Sequence, residues 1–127
     1  MNKKPSEYIS EFLNFVVEAQ AQYKIYFDEV GRQDKLTQDY LHSLELDNLK
    51  YDERSKVATR LMMNRKDRRY YKNRVEELES IVQFMEDVQN KKAIDKLTQV
   101  LGQTRKIEER QKDRKYKPRI LKEQQNG

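Results

Sequence analysis

Two apolar stripes, one met going up the chain and one coming down, mirror each other about a point near Lys50. Val16, Gln20, Tyr23, Phe27, Val30, Asp34, Thr37, Leu41 and Leu44 recur at spacings of four and three, and so do Val57, Leu61, Asn64, Arg68, Tyr71, Val75, Leu78, Val82 and Met85. Each set is one face of an α-helix. Folded antiparallel, the stripes meet step for step, from Leu44 with Val57 to Val16 with Met85. Their polar interruptions fall together, Thr37 opposite Asn64 and Asp34 opposite Arg68. A slipped pairing would press those polar groups against hydrocarbon. The pattern therefore predicts a long coiled-coil-like hairpin whose central polar layer, Asp34, Thr37, Asn64 and Arg68, fixes the register.

Little competes with that reading. Between Pro5 and Pro118 the chain has no proline to stop a helix, and no sustained alternation suggests strands. Of the 127 residues, 35% are hydrophobic and 39% charged, too little apolar material for a thick globular core. The expected fold is all-α: a long antiparallel hairpin, a third C-terminal helix packed on one end, and a basic, partly disordered tail. One helical domain is expected over residues 1–117, with helix 1 over about 6–46, helix 2 over about 53–87 and helix 3 over about 91–114; residues 118–127 would be flexible. Ser6, Asp52 and Asn90 are the expected helix caps, each a short polar side chain ahead of an apolar run. Gly31 allows a slight bend in helix 1. The third helix should turn Ile94, Leu97, Val100, Leu101, Thr104 and Ile107 inward, against Tyr8 to Val16 and Ile81 to Met85. Tyr8, Phe15, Tyr26 and Tyr40 cannot all fit one seam, which leaves apolar surface for a partner or for a homodimer.

Composition also narrows the chemistry. The absence of cysteine removes disulfides and thiol nucleophiles, and the single histidine, His42, cannot build a histidine metal site. His42 and the adjacent Ser43 do not face each other on a helix. Glu76, Glu77 and Glu79 are the densest acidic group, but the register brings no second acidic cluster to them. No cofactor and no enzymatic activity are expected. The densest apolar stretch, Phe12 to Val17, is too short to span a membrane.

Charge is the one feature that points to a partner. The net charge is +5, and the whole excess lies from Arg105 onward, where nine basic residues face four acidic ones. Residues 1–50 sum to −3, whereas Arg54 to Arg74 hold nine Arg or Lys and one acid, Asp67. With Arg68 turned into the seam, Arg65, Arg69 and Lys72 share an outer face of helix 2, with Arg60, Lys66, Tyr70 and Arg74 nearby. Such a stripe suits an acidic or nucleic-acid-bearing surface: the cations could follow phosphates while Tyr70 stacks on a base. There is no helix-turn-helix signature to set a groove geometry.

The strings LTQDYLHSLEL, YDERSKVATRLMMNRKDRRYYKNRVEELESIVQF and LGQTRKIEERQKDRKYKPRIL resemble a group of small helical proteins encoded by phages and prophages of Gram-positive bacteria. The likeness spans about three quarters of the chain and contains no catalytic motif. It implies a setting, the cytoplasm of an infected or lysogenic bacterium, and a bacterial protein or nucleoprotein complex as partner. Within that setting the expected role is inhibition of a nucleic-acid effector such as a CRISPR nuclease. The rival expectation is direct binding of DNA or RNA through the basic face of helix 2.

Overall fold

Helix-forming sequence without interior proline gives helices at full length. The computed structural model describes residues 1–115 and 118–120, and α1 spans Pro5–Leu46, α2 Tyr51–Glu86 and α3 Val88–Lys112. No strand occurs among the described residues. At 42 residues α1 is a rod of about 63 Å. It runs unbroken through Gly31, whose backbone shows no positive φ.

α1 and α2 pack along their length as the expected antiparallel hairpin, and α3 touches both at one end. The rod is thin, and among the described residues no side chain is wholly sealed from solvent. Val16, Ala19, Val75, Met85 and Leu101 form its most buried apolar set. Burying each of the larger ones contributes roughly 1.5–3 kcal/mol.

The α2 stripe follows the sequence pattern: every member from Val57 to Met85 is buried or half-buried. On α1 the structure corrects the stripe at alternate steps. Phe27 is 59% exposed, Leu41 is 48% exposed and Gln20 is exposed, while Ala19, Tyr26, Gln33 and Tyr40 take the inner positions. The reason is geometric. In an antiparallel pair with equal rise, a step of three on one helix must face a step of three on the other. From Val16 upward, the inner positions of α1 advance by three, then four. From Met85 downward those of α2 retreat by three, then four. Choosing Gln20, Phe27, Asp34 and Leu41 set steps of four against steps of three.

The polar layer lies where the sequence places it, with a different centre. Thr37 Oγ1 donates to Asn64 Oδ1 at 2.6 Å and to the Gln33 carbonyl at 3.0 Å. Asn64 Nδ2 donates to the Gln33 carbonyl at 2.9 Å and to Gln33 Oε1 at 2.8 Å. Gln33 and Asn64 are 6% and 4% exposed, and Arg68 Nε donates to Asp34 Oδ1 at 2.5 Å nearer the surface. The buried part of the register device is thus an amide cluster, with the ion pair at its edge.

Three expected caps are replaced. α1 has Pro5 in its first turn, where a missing N–H costs nothing, and Ser6 is drawn inside the helix. Lys50 precedes α2, and Glu53 accepts from its backbone N–H at 3.4 Å, so Asp52 is a first-turn residue. Asp87 alone separates α2 from α3 and accepts from the N–H groups of Gln89 and Asn90 at 2.8 and 3.3 Å. Asn90 instead donates to the Phe84 carbonyl at 2.8 Å, satisfying an orphan acceptor at the end of α2.

α3 does not climb back along the hairpin. Glu108, about 30 Å along the helix from Val88, accepts from the Ser6 hydroxyl at 2.6 Å and from the Ser6 N–H at 3.2 Å. A returning helix would carry Glu108 far up α1, so α3 leaves the end of α2 towards the start of α1. Leu101 is its buried contact, with Ile94, Leu97 and Thr104 half-buried. Val100 and Ile107, expected inward, are 43% and 48% exposed. The expected flexible tail, 118–127, lies mostly outside the described residues.

Candidate interaction surface on α2

At 100° per residue, the candidate side chains wrap the outer half of α2. Taking buried Asn64 as zero, Lys72, Arg65 and Arg69 fall between roughly 80° and 140°, and Lys66 near 200°. Tyr70, Arg74 and Arg60 fall between roughly 240° and 320°, on the other flank of the seam. The cluster that is continuous in sequence is divided by the hairpin.

Arg60, Arg65, Lys66 and Arg69 are exposed, and Lys72 is half-buried. None of the five is in an ion pair among the described residues. Arg54, also exposed and unpaired among the described residues, falls at roughly 80° and extends the Arg65 flank into a band towards the hairpin turn, whereas Lys56, exposed likewise, falls at roughly 280°, on the Arg60 flank. From Arg54 to Lys72 the band covers about 27 Å of helix. Asp67 is its only acid.

Three members are already engaged. Arg68 holds Asp34, with side-chain exposures of 23% and 47%. Arg74 is half-buried, pairs with Glu77, and sets its guanidinium 5.5 Å from the Tyr70 ring centroid. Tyr71 meets Tyr70 edge-on at 5.3 Å and Tyr26 at 6.1 Å. Tyr70 therefore has one face covered by a cation, and a base could stack there only by displacing Arg74.

The acidic group does not assemble. Glu77 is tied to Arg74, Glu76 and Glu79 are exposed, and among the described residues no group of three or more His, Asp or Glu could hold a metal ion. No helix among them is long and apolar enough to cross a membrane. What the surface can do is attract negative charge over the length of the band, through cations that are mostly exposed.

Comparison of the chain with protein-family models, with curated protein sequences and with solved structures finds no match in any of the three.

Proposed function

We propose that this chain is a non-enzymatic interaction protein that presents the α2 basic band to an acidic protein surface. The observation that carries this reading is the band itself: Arg54, Arg65, Lys66 and Arg69 stand exposed on one side of α2, without ion-pair partners among the described residues, on a rod stiffened by a buried polar layer. A rigid, pre-ordered display loses little conformational entropy on binding. The likeness to small phage and prophage proteins supplies the setting, an infected bacterium, and a target class, a nucleic-acid effector such as a CRISPR nuclease obstructed by a bound rod.

Direct nucleic-acid binding uses the same cations. The acidic-protein reading is preferred because the aromatic residue best placed for stacking, Tyr70, already has one ring face covered by Arg74. The test is affinity capture from a bacterial host with nuclease present, using the native chain and an Arg65→Glu/Arg69→Glu variant. Retention of one protein that survives nuclease and is lost in the variant, with the helical spectrum unchanged, is the expected result. Binding of a bare labelled oligonucleotide more tightly than the roughly micromolar non-specific range, with a steep salt slope removed by the variant, would transfer the function to nucleic acid.

A further inference from the structure

The Asp34–Arg68 pair crosses the seam on one flank of the hairpin, and that flank carries apolar side chains that the fold leaves half in water. Phe27 and Leu41 stand seven residues before and after Asp34, so the three share one strip of α1 to within about 20° per step. Phe27 is 59% and Leu41 48% exposed, and Tyr23 stacks on the Phe27 ring at 6.1 Å. Gly31, one turn on from Phe27, has nothing within 4 Å of where a Cβ would stand. An open hollow of about 410 Å³ lies there, bounded by Phe27, Asp28, Gly31, Arg32 and Lys35.

Cations edge this strip on both helices. With Asp34 level with Arg68, equal rise in the antiparallel pair sets Leu41 level with Leu61 and Phe27 level with Val75. Arg65, Arg69 and Lys72 fall between those levels, and they lie roughly 40–100° outward of Arg68 on the side of α2 that Arg68 occupies. On α1, Lys24 and Lys35 stand roughly 60–80° outward of Phe27, on the far edge of the strip. Both lysines are exposed, and none of the five cations is in an ion pair among the described residues. Asp34 is already matched by Arg68, which leaves Asp28 on the α1 edge and Glu45 and Glu76 near the two ends as the acids that border the strip.

An apolar strip with cations along both edges is the complement of an amphipathic helix whose apolar stripe is bordered by carboxylates. From Phe27 to Leu41 the strip runs about 21 Å, the length of about four helical turns. We infer that this flank docks an acidic amphipathic α-helix of the target protein, laid along the hairpin as a third helix. Its apolar residues cover Phe27 and Leu41, and its carboxylates meet Arg65, Arg69 and Lys72 on one side and Lys24 and Lys35 on the other. The inference rests on the acidic-protein reading above and adds to it the form of the target, a helix with an apolar face, and the α1 residues that recognise it. Cations alone hold any polyanion; the apolar strip is what selects a helix with a matching face.

The experiment titrates the full chain into two labelled synthetic peptides of about 20 residues, read by fluorescence anisotropy at low and physiological salt. Both contain the same leucines, alanines and glutamates; in one the leucines recur at helical spacing on a single face, and in the other they are scattered. The one-faced peptide is expected to bind at least about tenfold more tightly than the scattered one. Phe27→Gln and Leu41→Gln should each erode that preference while leaving the scattered peptide's binding unchanged, and Arg65→Glu/Arg69→Glu should weaken both peptides. Both apolar positions are about half exposed, so helical content by circular dichroism should be unaltered. Equal binding of the two peptides, or a preference indifferent to Phe27→Gln and Leu41→Gln, overturns the docked helix and leaves the acidic-protein reading standing. A labelled oligonucleotide that binds more tightly than either peptide overturns both. Binding of neither peptide, or self-association of the chain that Phe27→Gln and Leu41→Gln abolish, also refutes the docked helix, the latter by giving the strip to a second copy.

Discussion

Replacing Asn64 with alanine should cost this protein more than breaking its central ion pair. The side chain is 4% exposed and makes three hydrogen bonds, two given through Nδ2 to Gln33 at 2.8 and 2.9 Å and one received from Thr37 at 2.6 Å. Each such bond contributes about 0.5–1.5 kcal/mol net, but the larger effect is on what stays behind. Gln33, 6% exposed, keeps a buried amide oxygen with no donor, and an orphaned buried group costs about 1–3 kcal/mol. Asn64→Ala should therefore lose about 2–4 kcal/mol and lower Tm by on the order of 10 °C. Arg68→Ala breaks a pair whose carboxylate is 47% exposed, and should lose about 1 kcal/mol. The double variant Gln33→Leu/Asn64→Leu strands no amide, since Thr37 keeps its 3.0 Å bond to the Gln33 carbonyl. It should recover most of the lost stability. Urea and thermal melts followed by circular dichroism give all three values. If Arg68→Ala proves more damaging than Asn64→Ala, or if Asn64→Ala costs under about 0.5 kcal/mol, the amide cluster does not hold the register.

Gly31 and Gly102 sit inside helices at ordinary φ with open space where a Cβ would go, so alanine at each should stabilise by up to about 1 kcal/mol, read as a rise in melting temperature. Ser6 hydrogen-bonds the Glu108 carboxylate and holds its pKa below the ordinary 4.5. A depressed carboxylate contributes stability that is complete above its ordinary pKa and is lost as pH falls through the folded value. The melting difference between the native chain and Glu108→Gln should thus be full at neutral pH and shrink below about 4.5; a difference that grows in acid would contradict the assignment.

The three-helix architecture and the hairpin register were legible because a 3.6-residue period repeated over nine layers leaves few alternatives, and because Thr37, Asn64, Asp34 and Arg68 interrupt both stripes at the same height. The inner face of α1 was half legible. Gln33 belongs to the buried cluster yet reads as a surface glutamine, and Phe27 and Leu41 read as core by hydrophobicity alone. The signal that separates them was present, namely the need for equal steps on two antiparallel helices, but it is a property of the pair and of neither stripe alone. Charge was only partly legible as a site: the stripe already drew Arg68 into the seam, whereas Lys72 and Arg74 are partly withdrawn by neighbours that only packing supplies.

Local periodicity, the missing prolines and the placement of polar interruptions are properties of neighbouring residues, and they alone determine that this chain makes long helices folded back about Lys50. Three matters depend on residues remote in sequence: which of two adjacent α1 positions turns inward, where α3 goes after Asp87, and which cations remain free. Positions three and four residues along a helix straddle the same seam about 100° apart, so hydrophobicity leaves the choice between them open until a partner helix with its own steps is in place. Ser6 meets Glu108 across 102 residues, a contact no local pattern encodes, and it sets the far part of α3 beside the start of α1.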